Sequence, residues 1–165
     1  MLFSPDHIIP NLKANERFSA IRELVAQLVN VRRIRPEDED VVVEAAIKRE
    51  KSMTTGVGCG YASPRARVDC VEDIVVVAGA SASGVEFDGI DNQPVTCIVM
   101  FIIPDHSMTH ELELIRYAGQ FQKIWQQPEV RGQWSRSTSA EEIWSLLKPA
   151  YDACLRPLPV PETPG

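Results

Sequence analysis

The chain has 165 residues, of which 44% are hydrophobic and 24% charged, a composition typical of one globular domain with a buried core. Its formal net charge of −6 argues against general nucleic-acid binding, which requires a basic face. The sequence shows no apolar run long enough to span a membrane and no export signal at its start. We therefore expect a cytoplasmic protein without membrane insertion.

Two helices are predicted in the first third of the chain. The first ten residues contain two prolines and are expected to be irregular. Asn15 is a suitable N-cap, and apolar residues then recur at helical spacing, which predicts a helix over residues 15–31. Pro36 opens a second helix, predicted over residues 37–50, whose acidic first turn complements the helix dipole.

The middle of the chain predicts β-strands. The two most apolar, β-branched runs have the composition of strands buried on both faces and span residues 74–78 and 95–103. Shorter strands are predicted over residues 60–62 and 68–71. The small, polar residues 79–84 predict a loop.

Two further helices follow the strands. An apolar stripe that ends at Trp125 predicts a helix over residues 109–126, which Pro128 ends. Ser139 and Glu142 have the spacing of a capping box and open a last helix over residues 140–151.

The order of these elements predicts a single three-layer α/β domain of residues 1–154, with helices on both faces of a sheet. Turn residues between positions 88 and 94 favour a hairpin, and therefore a mixed sheet. Residues 155–165 contain four prolines and are predicted to form an extended tail.

A glycine-rich segment before the first long strand is the most informative part of the sequence. It contains glycines at positions 56, 58 and 60 and a Ser63–Pro64 pair. Glycine permits backbone conformations with positive φ, and Pro64 restricts both its own φ and that of Ser63. A rigid bend that presents the next side chain, Arg65, is the predicted result.

This segment resembles the active site of type-2 enzyme IIA domains of the phosphoenolpyruvate-dependent sugar phosphotransferase system, in the fructose, mannitol and nitrogen-regulatory class. The matching motif begins with Arg49-Glu50 and continues as Thr-Gly-x-Gly-x-Gly-x-Ala-x-Pro. Residues 83–95 resemble the middle signature of the family, and His110 resembles its second histidine. In that family the residue after the proline is a histidine that carries a phosphoryl group, whereas this chain has Arg65.

The resemblance implies a mannitol-type IIA fold and a site built around Arg65 and His110. A guanidinium offers only hydrogen-bond donors, so phosphotransfer through residue 65 is excluded on chemical grounds. Arg49 matches the arginine that stabilises phosphate in the family. The predicted anion-binding residues, which could hold a phosphate or a carboxylate, are Arg49, Thr54, Thr55, Gly58, Gly60 and Arg65.

Several interpretations of this site remain open. The first is a regulatory module that cannot be phosphorylated and that acts on HPr-like or IIB-like proteins or on regulatory targets. The second is an active phosphocarrier in a sugar or nitrogen-regulatory system that uses His110. The third is a sensor of a small anionic metabolite. Finally, Arg65 could simply point into solvent, and His110 could be an ordinary hydrogen-bonded histidine.

No metal and no cofactor are predicted. His106 and His110 have a spacing that can place two ligands on one helical face, but His106 lies only two residues after Pro104, before regular helix. The four cysteines lack a C-x-x-C pair and are expected to be reduced. Cys97 is predicted in the core and Cys59 at an accessible position, as a small filler residue.

Overall fold

The computed structural model of the protein describes residues 1–105 and 108–157. His106 and residues 158–165 of the predicted tail lie outside the described residues. Within these ranges the secondary structure consists of β1 (Ile8–Ile9), α1 (Arg17–Asn30), α2 (Glu39–Ser52), β2 (Gly56–Gly58), β3 (Tyr61–Ala62), β4 (Arg65–Val68), β5 (Val75–Val85), β6 (Val95–Pro104), α3 (Met108–Trp125), α4 (Pro128–Trp134) and α5 (Ala140–Leu155), with short 3-10 helices at Pro5–His7 and Pro36–Asp38.

Strand β6 lies inside a mixed sheet. On one side it pairs antiparallel with β5, which in turn pairs in parallel with β1. On the other side it pairs in parallel with β3 and then β4, and β2 continues the sheet beyond β3 in the antiparallel direction. The mixed sheet that the turn residues predicted is therefore confirmed.

Strands β3 and β4 act as one strand with a bend at Pro64. Ala62 lies opposite Ile98 and Arg65 lies opposite Phe101, so the register is the same on both sides of the bend. The Pro64 carbonyl accepts a hydrogen bond from the Phe101 N–H at 3.0 Å, which continues the ladder across the proline. Side chains therefore alternate between the two faces of the sheet from β3 into β4.

Helices cover both faces of the sheet, as predicted. Apolar residues of α1 and α2 pack on one face, and those of α3, α4 and α5 pack on the other. The four predicted helices are present, and α5 continues through Pro149 to Leu155, beyond its predicted end at residue 151. No helix in the described part of the chain has the length and apolar character needed to cross a bilayer.

The loop predicted over residues 79–84 is wrong, because these residues form the second half of β5. Gly79 is small for a reason of packing. A Cβ atom at this position would lie 2.7 Å from Cδ1 of Leu12, so glycine allows Leu12 to lie directly on the strand. The small residues mark a close approach between two parts of the chain.

The first ten residues are also more regular than predicted. Ile8 in β1 lies opposite Ala78 in β5. The Leu2 N–H donates to the Ile74 carbonyl at 2.7 Å, and the Leu2 carbonyl accepts from the Val76 N–H at 2.9 Å. The partner of this segment is distant in the sequence, so its local composition did not indicate the pairing.

Three predicted boundaries require correction. The short strand predicted over residues 68–71 is instead β4, which ends at Val68, because the ladder with β6 resumes directly after Pro64. Pro128 opens α4, since proline lacks the N–H that the first position of a helix cannot use. The N-cap of α1 is Glu16, whose carboxylate accepts from the Phe18 N–H at 2.9 Å.

Candidate functional site

A buried carboxylate fixes the connection between α2 and the glycine-rich segment. Glu50, on the last turns of α2, is 1% exposed. Its two oxygens accept from the Thr55 N–H at 2.8 Å and from the Thr55 hydroxyl at 2.7 Å. The Thr54 hydroxyl donates to the Phe87 carbonyl at 3.0 Å. The hydroxyls of both threonines are therefore committed to protein partners.

Gly58 is the last residue of β2, and Gly60 belongs to the tight turn that leads into β3. Gly58, Cys59 and Gly60 have φ values of 97°, 55° and 75°, the left-handed region that favours glycine. The exposed Cys59 is held through its backbone, since its N–H donates to Asp91 Oδ2 at 3.1 Å and its carbonyl accepts from Trp125 Nε1 at 2.8 Å. The two glycines shape this turn.

Two concave regions meet at Arg65. The small pocket has a volume of 190 Å³ and is lined by Arg49, Met53, Thr54, Thr55, Val57, Tyr61, Ser63, Arg65, Ala118 and Gln122. The basic cleft has a volume of 610 Å³ and is lined by Ala45, Lys48, Arg49, Ser52, Arg65, Arg67, Ile103 and Glu111. Among the predicted anion-binding residues, Arg49, Thr54, Thr55 and Arg65 thus come together, while Gly58 and Gly60 lie outside both linings.

The three arginines around these regions have different surroundings. Arg67 forms an ion pair with Glu111 at 2.9 Å, and Arg49 donates to the Met53 carbonyl at 3.0 Å. Arg65 is half-buried, and its Nε has no hydrogen-bond partner among the described residues. Burial, together with repulsion from Arg49 and Arg67, lowers the pKa of Arg65. A bound anion would counter the repulsion among the guanidinium groups.

His110 lies in the first turn of α3, on the same face of the sheet as the side chain of Tyr61. Its ring is partly buried, and Nδ1 has no hydrogen-bond partner within the described part of the chain. The residue lines neither the small pocket nor the basic cleft. The resemblance groups His110 with Arg65 in one site, whereas His110 lies outside both linings that contain Arg65.

Sequence reasoning missed two residues of the site. Tyr61 and Ser63 line the small pocket beside Arg65, and α3 contributes Ala118 and Gln122 to its wall. Positions 61, 63 and 65 share one face because β3 and β4 keep a single register with β6. The sequence alone predicts this shared face only if the strand is assumed to continue through Pro64.

The sequence family follows from a comparison with known proteins. The family model described as "Phosphoenolpyruvate-dependent sugar phosphotransferase system, EIIA 2" matches residues 1–150. The chain belongs to this family. A nitrogen regulatory protein of Bradyrhizobium diazoefficiens is 26% identical to this IIA-type protein over 146 residues, which are 88% of the chain and 92% of that relative.

Solved structures have the same fold. The nitrogen regulatory protein IIA-Ntr of Neisseria meningitidis matches with a TM-score of 0.75 at 24% identity, over 87% of this chain and 94% of that protein. Escherichia coli enzyme IIAMTL, in its complex with phosphorylated enzyme IIBMTL, matches with a TM-score of 0.73 at 24% identity. The match covers 90% of this chain and 98% of that protein. These likenesses confirm the three-layer mannitol-type IIA fold.

Proposed function

We propose that this IIA-type protein is a regulatory binding module that carries no phosphoryl group at residue 65 and acts through contacts with partner proteins or small anions. The observation that carries the proposal is the guanidinium of Arg65 where the two concave regions meet. A phosphoryl acceptor must supply a lone pair, and a protonated guanidinium has only N–H donors to offer.

The charge of the basic cleft supports an acidic partner. Lys48, Arg49, Arg65 and Arg67 line it with Glu111 as the acidic residue, although the whole chain has a net charge of −6. Such a local reversal of charge steers a partner of opposite charge towards one face. The guanidinium groups can hold carboxylate or phosphate in a planar, bidentate arrangement.

Exposed apolar residues favour a protein as that partner. Met53 and Val57 line the small pocket and have exposed fractions of 68% and 42%. Apolar side chains around a polar centre are the usual composition of a protein contact surface. The solved complex of enzyme IIAMTL with phosphorylated enzyme IIBMTL makes an IIB-like protein the partner to test first.

A phosphocarrier that uses His110 is the second candidate function. It is favoured by the Nδ1 atom of His110, which no hydrogen bond within residues 1–105 and 108–157 commits to a tautomer. The arginines of the two linings are needed to stabilise a transferred phosphoryl group, and His110 is absent from both. We therefore prefer the regulatory module.

Phosphotransfer from labelled phosphoenolpyruvate through enzyme I and HPr separates the two functions. We expect no labelling of the wild type or of His110→Ala, and labelling of Arg65→His if the remaining site is competent. An authentic IIA domain in the same reaction is the positive control. Acid-labile labelling of the wild type that disappears in His110→Ala would establish the phosphocarrier instead.

A further inference from the structure

Three buried polar atoms without partners lie along one edge of the small pocket. They are the hydroxyl oxygens of Tyr61 and Ser63 and the Nε of Arg65, and none meets hydrogen-bond geometry with a described residue. Burial raises the pKa of Tyr61, and the Ser63 hydroxyl nevertheless lies near enough to oppose this rise. Tyr61 is 2% exposed and Ser63 is 7% exposed. Buried polar groups are nearly always hydrogen-bonded, so such a cluster indicates a missing partner.

The chemistry of these atoms defines that partner. Arginine Nε is a donor only, whereas each hydroxyl can both donate and accept, so the cluster has three protons to donate and only neutral hydroxyl oxygens to accept them. The charged residues of the pocket lining are Arg49 and Arg65, and no described carboxylate lines it. Glu50 lies close behind, but both of its oxygens already accept from Thr55. The acceptor that fits two cations and two hydroxyls is negatively charged.

The alternation of the strand explains the convergence of the three donors. Positions 61, 63 and 65 point to the side of the sheet that α3 covers, where Ala118 and Gln122 complete the wall. Since one water occupies about 30 Å³ in the liquid, the 190 Å³ pocket has room for a group of several heavy atoms. A tetrahedral oxyanion or a carboxylate is of that size.

We propose that Tyr61, Ser63 and Arg65 form an oxyanion site in the small pocket, which takes the terminal phosphate or the carboxylate of a small molecule or of a partner side chain. The identity of the ligand as an anion rests on the proposed function. The new element is that Tyr61 and Ser63 select this ligand. Arg49 supplies the second positive charge. The two hydroxyls provide directed hydrogen bonds, and those to an ionised acceptor are the strong class.

Calorimetric titration of the whole chain with inorganic phosphate tests this site, with acetate as the carboxylate probe and chloride at matched ionic strength as the blank. The test variants are Tyr61→Phe and Ser63→Ala, which keep the charge of the pocket. We expect each variant to weaken the Kd for the bound probe roughly tenfold, as the loss of one hydrogen bond to a charged group predicts. Whichever of phosphate and acetate binds with the lower Kd identifies the ligand class.

Thermal unfolding of the ligand-free proteins provides the folding control. Removal of a hydroxyl that has no partner should leave the melting temperature of Tyr61→Phe and Ser63→Ala unchanged or higher. A lower melting temperature for both, with no anion effect on the wild type, would mean that the hydroxyls hold water alone, and the oxyanion site would be overturned.

A third variant, Arg67→Gln, separates this site from the basic cleft. If phosphate binds with the same affinity to Tyr61→Phe and Ser63→Ala as to the wild type but less well to Arg67→Gln, the anion occupies the basic cleft. The oxyanion site would then be overturned while the proposed regulatory function stands. The phosphotransfer assay tests that function separately, since labelling of the wild type contradicts it whatever the anion titration shows.

Discussion

Glu50 and Thr55 are joined by two hydrogen bonds that bridge the end of α2 and the start of β2. The carboxylate accepts from the Thr55 N–H at 2.8 Å and from its hydroxyl at 2.7 Å, and both residues are buried. The Thr55 carbonyl in turn accepts from the Ser63 N–H at 3.2 Å. The Glu50 carboxylate therefore positions the backbone that precedes the small pocket.

The first prediction concerns the stability that this contact provides. Glu50→Ala leaves two buried donors of Thr55 without an acceptor, and we expect the free energy of unfolding to fall by at least about 2 kcal/mol. Urea denaturation measures the change. Glu44→Gln, at an exposed position of the same helix, is the control and should stay close to the wild type. Equal stability of Glu50→Ala and the control would contradict the structural role.

The second prediction concerns acid sensitivity through His7. The ring is fully buried, Nδ1 donates to the Val76 carbonyl at 2.8 Å, and Nε2 accepts from Arg33 Nε at 3.1 Å, which requires the neutral form. Burial lowers the pKa of His7, and Arg33 lowers it further, while the Val76 hydrogen bond and Asp6 oppose the shift. Protonation would bring a second cation against the Arg33 guanidinium.

The sign of the effect follows from linkage. A histidine in the unfolded chain takes up a proton near pH 6.5, whereas folded His7 does so only at lower pH, so the free energy of unfolding must fall as the pH drops below about 6.5. We expect urea denaturation between pH 8 and pH 5 to show a shallower decline for His7→Gln than for the wild type. Parallel pH profiles for the wild type and His7→Gln would refute the assignment.

The third prediction concerns the packing of Leu12 on β5. In Gly79→Ala the new methyl group would lie 2.7 Å from Leu12 Cδ1, and we expect a loss of roughly 1–3 kcal/mol of stability from overpacking. Leu12→Ala should relieve that contact. The double variant should therefore be more stable than the sum of the single losses predicts, and a double-mutant cycle measures the coupling. Additive losses would show that the two residues do not meet.

The fourth prediction separates stability from binding at the basic cleft. The Arg67–Glu111 ion pair is partly exposed, and such pairs contribute about 0–1 kcal/mol, so Arg67→Gln should unfold almost like the wild type. Loss of the Arg67 charge should nevertheless slow association with an acidic partner and reduce the salt dependence of the association rate. Surface plasmon resonance with an IIB-like or HPr-like partner measures both. A large loss of stability would instead make Arg67 a structural residue.

Much of the fold was predictable because the main elements have strong local signals. The apolar run of β6 and the helical stripes of α1 and α3 depend on residues that are close in sequence. Strand β1 and the second half of β5 were missed because their evidence is nonlocal. Pairing of Ile8 with Ala78 and contact of Gly79 with Leu12 join segments that no periodicity connects.

The site was predictable in its charges and less so in its geometry. Arg49 and Arg65 were expected to meet, and both line the small pocket and the basic cleft. The roles of Thr55 and Gly58 could not be derived from the motif, because a glycine can serve a turn as well as a ligand and a threonine hydroxyl can be consumed by a buried carboxylate. Tyr61 and Ser63 line the site because the strand keeps one register across its bend, which places them on the same face as Arg65.

Because of that register, neighbouring residues of β3 and β4 face opposite sides of the sheet and have different functions. Ala62, Ala66 and Val68 face the core beneath α1 and α2, whereas Tyr61, Ser63, Arg65 and Arg67 face α3 at steps of about 6.6 Å. Positions 63, 65 and 67 can therefore vary in chemistry while the even positions preserve folding, whereas Tyr61 also belongs to the core and stacks on Trp125. A combinatorial library restricted to positions 63, 65 and 67 would sample new ligand specificities on an intact scaffold.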